Sequence, residues 1–370
     1  MLYNLDLKRK KNKKINLLNF NLIKMKEFFL SLGEQEFRAV QLMDWIYKKY
    51  CCNFDVMNNF SINLKKKLND IAIIQAPKYI SKQISKDGTI KWNFFVDTGY
   101  IETIYIPEKN RSTLCISSQI GCVLKCKFCA TGCLGFTRNL EISEIIGQIW
   151  YIMKIIKNNH LHVMKIFQIS KITNVVMMGM GEPLLNLKNV IPAVHIILSQ
   201  YGFNLSKHKF TLSTAGIVPA IKKISGKIDV SLAISLHASN DLLRNTLMPI
   251  NKKFNIASLL SAVQEYLKTS TANRSVVTIE YIMLKGINDT IHHAEELILL
   301  LKNLSCKINL IPWNPIKNSK YQCSNNKTIH IFSDCLIKSG FIVKVRKNRG
   351  SDIDAACGQL AGLKNIERFK

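Results

Sequence analysis

The chain has 370 residues, 47% of them apolar and 21% charged, which is the composition of a globular protein and excludes a fibrous or wholly disordered one. Lys and Arg number 52 against 25 Asp and Glu, a formal net charge of +27 that points to a polyanionic partner, above all nucleic acid; lysine-rich compositional drift is the competing explanation. No apolar run of about 18 residues predicts a membrane span, and no apolar segment with a cleavage site follows the basic N-terminus, so the expected location is the cytoplasm. Residues 8–14 read KRKKNKK, by default a solvated basic tail. Between 28 and 68 the apolar residues Phe37, Val40, Leu42, Trp45 and Ile46, then Ile62, Leu64 and Leu68, recur at helical spacing and predict a small helical N-terminal domain. Residues 79–106 change to short β runs, with Gly88 and Gly99 marking turns. From 114 onward short apolar strands alternate with helices: strands at 114–118, 173–178, 210–213, 230–235, 276–282 and 307–311, helices at 143–156, 190–198, 257–267 and 294–304, and a last strand at 341–345. Repeated βα units with nearly continuous apolar strands predict a parallel sheet buried on both faces. The expected fold is therefore α/β, a partial (βα)6 barrel with a small helical N-terminal domain and a short β connector. The expected divisions are 1–75, an RNA-binding accessory domain; 76–107, the connector; 108–348, the barrel; and 349–370, a C-terminal tail.

Eleven cysteines in a cytoplasmic chain are expected to be thiols, redox centres or metal ligands rather than structural disulfides. Five of them, Cys115, Cys122, Cys126, Cys129 and Cys133, crowd into residues 115–133. Cys122, Cys126 and Cys129 form a C-x3-C-x2-C pattern on the loop after the first barrel strand, where α/β barrels place their active sites. Three thiolates can hold three irons of a [4Fe–4S] cluster and leave the fourth for another ligand. A zinc site, or a conventional four-cysteine cluster, with Cys133 as fourth ligand is the alternative. The spacing, with Phe128 between the last two ligands, resembles the radical S-adenosylmethionine (SAM) enzymes. That resemblance implies SAM bound to the fourth iron and its cleavage to methionine and a 5′-deoxyadenosyl radical. Successive strand ends offer a binding surface for it: Gly181 and Glu182 in GMGEP, which resembles the motif that holds the SAM amino group, Ser213 in TLSTAG, Ser235, Leu236 and His237 in AISLHA, and Asn314 in IPWNP.

Four further segments narrow the resemblance. GEQEFRAVQLMDWIY, IETIYIPE, VVMMGMGEPLLN and the tail RGSDIDAACGQLAG, taken with CISSQIGCVLKCKFCATGCLGFTRNL, resemble the RlmN family of dual-specificity RNA methyltransferases over most of the chain, from about Gly33 to Gly362. The resemblance implies methylation of carbon-2 of an adenosine in the peptidyl-transferase centre of 23S rRNA and of adenosine 37 in a subset of tRNAs. Carbon-2 lies between two ring nitrogens and is too electron-poor to attack the methyl of SAM directly; the resemblance implies that two SAM molecules serve each turnover. In the family's scheme Cys357 carries the methyl as S-methylcysteine, a protein–RNA adduct forms, Glu102 accepts the carbon-2 proton, and Cys115 releases the product through a transient disulfide with Cys357. An electron donor such as flavodoxin with its reductase, and a monomeric state, complete the expectation. Two readings compete: methylation of carbon-8 of the same rRNA adenosine, and a non-catalytic RNA-binding protein with a structural metal knot.

Overall fold

In the computed structural model, residues 14–158 and 171–362 are described. The basic run 8–14, apart from Lys14, lies outside them, as does most of the basic loop 154–171.

The helical periodicity near the N-terminus resolves into three helices, α1 (Leu22–Ser31), α2 (Phe37–Tyr47) and α3 (Ile62–Ile71). Two of them begin on side-chain caps: Asn21 accepts from the Lys24 amide and Ser61 from the Leu64 amide, each satisfying an otherwise orphaned donor. A two-residue parallel pair, β1 (Ile15–Asn16) with β2 (Ala72–Ile73), closes this unit. Its apolar stripe, including Phe29, Leu42, Met43, Ile46 and Leu68, is buried. The Trp150 indole donates to the Ile46 carbonyl at 2.8 Å and so ties the unit to the rest of the molecule.

The remainder is built on one ten-stranded sheet. Strands β3 (Lys78–Ile84), β4 (Ile90–Val96) and β5 (Gly99–Glu108) run antiparallel, and β5 pairs antiparallel with β6 (Arg111–Cys115). The connector expected from the sequence is thus an extension of the barrel sheet. From β6 the sheet is parallel through β9 (Asn174–Met177), β10 (Phe210–Thr214), β11 (Ser231–Ser235), β12 (Val277–Met283), β13 (Cys306–Pro312) and β14 (Ile342–Val345). All seven residues of β12 are buried, as a strand covered on both faces requires. The hairpin of β7 (Gln119–Gly121) and β8 (Phe136–Asn139) was not foreseen; it is short and interrupted by the cysteine loop and α4 (Ala130–Cys133). The helices along the sheet are α5 (Ile142–Lys157), α6 (Leu187–Leu198), α7 (Val218–Ile224), α8 (Asp241–Leu247), α9 (Ile256–Thr269), α10 (Ile291–Leu301) and α11 (Asn326–Lys338). The carboxyl ends of the parallel strands share one rim, and the cysteine loop, GMGEP, TLSTAG, AISLHA and IPWNP lie there.

Candidate active site

The cysteine loop is pinned at its base by the β7–β8 hairpin, where the Cys122 amide donates to the Gly135 carbonyl at 2.9 Å. Gly121 sits at φ 72°, and a Cβ there would lie 1.8 Å from that same carbonyl oxygen, so only glycine closes the loop. Cys122, Cys126 and Cys129 line one chamber, together with Gly181, Glu182, Ser213, Ser235 and His237. Burial pushes all three thiols up, Cys122 to about 12, and the neighbouring cysteines push Cys126 up further. The Gly132 and Thr131 amides and the Thr131 hydroxyl pull Cys129 back toward the thiolate. Buried thiols facing one cavity gain most from a cation that replaces their protons. Three thiols lining one chamber match a cluster with one thiolate per iron, whereas a structural zinc site takes four ligands. Cys133 is exposed and lines neither this chamber nor its neighbour.

Opposite the cysteines, Glu182 is buried, with Oε1 accepting from the Leu184 amide at 3.1 Å and Oε2 from the Ala215 amide at 2.8 Å. Burial pushes its carboxyl up to about 7, against these hydrogen bonds; a bound ammonium would restore the charge. Its own amide donates to Gln119 Oε1 at 2.7 Å. Gly181 (φ 98°) is forced to be glycine, since a Cβ would approach the Gln119 side chain to 2.4 Å. His237 accepts at Nδ1 from the Ile282 amide at 3.1 Å, so its proton resides on Nε2, and burial holds the ring neutral, down to about 3. Leu236 is different: its side chain lies in the core and only its backbone meets the rim, where its carbonyl accepts from the Arg244 guanidinium at 3.0 Å. Arg244 also donates to the Ser235 and Ala215 carbonyls, knitting the ends of β10 and β11 together.

A second, smaller chamber adjoins the first and is lined by Cys115, Asn314, Arg346, Lys347, Arg349 and the tail. Cys357, Gly358 and Arg346 line both, so Cys357 stands in the wall between the cluster cysteines and Cys115. The tail is bolted down along its length. Ser85 Oγ donates to Asp352 Oδ1 (2.6 Å), the Gly350 amide to Asp87 Oδ2 (3.0 Å), and the Ala130 amide to the Gly358 carbonyl (2.7 Å). Thr131 Oγ1 donates to the Leu360 carbonyl (2.6 Å) and Asn314 Nδ2 to the Cys357 carbonyl (3.3 Å). Glu102, on β5, is buried; its Oε2 accepts from the Ala361 amide at 2.8 Å and its Oε1 lies 3.7 Å from Lys91 Nζ. Burial raises its carboxyl, with Lys91 the main opposing influence. The chambers measure about 170 and 80 Å³. Sequence reasoning missed Gln119, Arg244, Glu280 and Arg346. Only Glu280 left a signal, a carboxylate in the middle of the otherwise apolar run VTIEYIM.

The model of the ribosomal RNA large subunit methyltransferase N-terminal domain matches residues 15–74, and that of the radical SAM superfamily matches 116–301. A dual-specificity RNA methyltransferase RlmN from Buchnera aphidicola subsp. Cinara cedri is 64% identical over 350 residues, 95% of this chain and 97% of that protein. The protein of the same name from Wigglesworthia glossinidia brevipalpis is 57% identical, over 95% of this chain and 91% of that one. The crystal structure of a radical SAM methyltransferase from Sphaerobacter thermophilus superposes with a TM-score of 0.85 at 35% identity, covering 94% of this chain and 99% of that one.

Proposed function

The chain belongs to the RlmN family of radical SAM RNA methyltransferases, and from that premise we propose that it methylates carbon-2 of an adenosine in the peptidyl-transferase centre of 23S rRNA and of adenosine 37 in a subset of tRNAs. Its cofactors are a [4Fe–4S] cluster and SAM. Cys122, Cys126 and Cys129 would hold the cluster; Glu182, with Gly181, Ser213, Ser235, the Leu236 backbone, His237 and Asn314, would hold SAM. When bound, the two supply a methyl group and the one-electron chemistry that removes a hydrogen from it.

The chain's own residues do the rest. Cys357, as thiolate, accepts the methyl and carries it as a thioether, whose carbon then becomes bonded to carbon-2 of the adenine. The adduct so formed holds one unpaired electron, which it returns to the same one-electron chemistry as Glu102 takes the proton from carbon-2. A thiolate at Cys115 attacks the Cys357 sulfur, so that an S–S bond forms as the sulfur–carbon bond breaks. The electron pair stays on the carbon, which takes a proton and becomes the methyl of the product. The resulting disulfide must then be reduced. The observation that carries this reading is the position of Cys357, in the wall shared by the chamber of the cluster cysteines and the chamber of Cys115.

The same reading places the enzyme in the cytoplasm as a monomer, with flavodoxin and its reductase as electron donor. It divides the chain into 1–75 for RNA binding, 76–107 as connector, 108–348 as barrel and 349–370 as methyl-carrying tail. Mass spectrometry of nucleosides from cells with and without the gene tests it: 2-methyladenosine is expected only with the gene, and 8-methyladenosine in its place overturns the assignment. In a second test, Cys115→Ala accumulates a covalent protein–RNA species on a denaturing gel, whereas Cys357→Ala forms none and makes no product.

A further inference from the structure

Arg346 has no part in the scheme above, yet it lines both chambers beside Cys357, and the second chamber beside Cys115. It follows β14 directly, and its amide donates to the Leu310 carbonyl at 2.8 Å, which fixes its backbone at the strand end. Its guanidinium lies 3.7 Å from Glu280 Oε1, beyond hydrogen-bond reach, so the pair is loose. Glu280 is buried in mid-strand on β12; Oε1 accepts from Asn309 at 2.9 Å, and Oε2 has no partner although it is shielded from water. The guanidinium carries five donors and lines the chambers of both sulfurs.

We propose, resting on the two-sulfur reading above, that Arg346 is a positioning residue for both cysteines: its guanidinium, only loosely paired with Glu280, is the shared counter-charge that holds first the Cys357 thiolate and later the Cys115 thiolate in the wall between the chambers. The surrounding charges agree. Cys115 is pushed up to about 12, first by burial and then by Cys357, and Arg346 is the cation that opposes this. Cys357 is raised by burial and by Glu280 and is lowered by Arg346. Around Arg346 the facing groups are Cys357, Glu280, Cys115 and Glu108, and Lys347 and Arg349 line the same second chamber. One cation serving two sulfurs suits a sequence in which only one of them is anionic at a time. Once Cys357 is methylated it carries no charge, and the guanidinium is released to Cys115.

The test is the pH profile of iodoacetamide alkylation at Cys115 and Cys357, followed peptide by peptide by mass spectrometry in the cluster-loaded protein without RNA. Alkylation follows the thiolate, and one pKa unit is a factor of ten in its population below the pKa. Arg346→Gln is expected to slow both sulfurs about tenfold at pH 8 and to displace both profiles upward. Arg346→Lys keeps the charge and is expected to restore the rates to within about threefold of the parent. If Arg346→Gln does not load its cluster, Glu280→Gln gives the same test with the opposite sign, since loss of the negative neighbour accelerates Cys357. Unchanged profiles in the Gln variants, or a Lys variant as slow as Arg346→Gln, overturn the proposal. The measurement needs no turnover, so it succeeds or fails separately from the two-sulfur reading, which falls if Cys357→Ala still methylates RNA.

Discussion

His237 combines a left-handed backbone (φ 60°), a ring packed edge-on to Phe128 at 4.9 Å, and Nδ1 committed to the Ile282 amide. Its proton affinity is depressed by burial, to about 3, against about 6.5 in the unfolded chain. The folded state therefore binds fewer protons than the unfolded one between those values. Stability from this group is complete above pH 6.5 and is lost as pH falls, by up to about 1.4 kcal/mol per unit. His237→Asn, which tolerates the left-handed backbone, should be less stable than the parent at pH 7.5, with the difference shrinking on acidification to pH 5.5 in parallel urea titrations. A difference independent of pH would show that the ring titrates normally. The cysteines make a separate prediction. Ala at Cys122, Cys126 or Cys129 abolishes the visible absorbance of the cluster, whereas Cys133→Ala retains it, because Cys133 is exposed outside the chamber. Loss of absorbance in Cys133→Ala would restore the four-cysteine alternative.

At the scale of elements, the tail is held to the antiparallel strands by Glu102 and Lys91 and to the turn between β3 and β4 by Asp87 and Ser85. Glu102 is thus committed to the Ala361 amide while the tail is docked. Glu102→Gln keeps the size of the side chain and removes its charge, so it weakens that bond and the Lys91 pairing together. Amide exchange across 350–362 is expected to rise about tenfold or more in this variant, corresponding to roughly 1.5–3 kcal/mol for a charged hydrogen bond; unchanged protection would mean that the other bonds suffice. Much of the barrel was legible because its strands are short apolar runs separated by amphipathic helices, a pattern that survives without tertiary information. The β7–β8 hairpin was not, because three- and four-residue strands carry too little alternation to stand out beside a cysteine loop. The site divided along similar lines. Cys122, Glu182 and His237 sit in motifs with recognisable spacing, whereas Arg244 and Arg346 read as ordinary surface charges until the fold brings carbonyls or sulfurs to them. The merger of the connector with the barrel sheet was equally invisible, since pairing of β5 with β6 is a matter of register that residue types leave open.

For the whole molecule, the +27 charge becomes a statement about RNA only through salt dependence. If basic side chains displace counterions from phosphates, affinity for a substrate RNA should fall at least about tenfold between 50 and 200 mM salt, and filter binding would read it directly. Affinity that does not change with salt would assign the charge to compositional drift. Removal of residues 349–370 offers a complementary check. The barrel buries its strands without them, so the truncated protein should still load its cluster and cleave SAM, while making no methylated RNA.

The hydrogen bonds that fasten Ser85 to Asp352 and Glu102 to Ala361 join residues separated by 267 and 259 positions. A chain that folds as it is synthesised, N-terminal portions first, has its antiparallel strands in place before residues 350–361 are made. These bonds are therefore among the most non-local in the molecule, and loop-closure entropy makes such contacts late to form. The wall in which Cys357 lines both chambers is assembled only when this segment finds partners laid down hundreds of residues earlier.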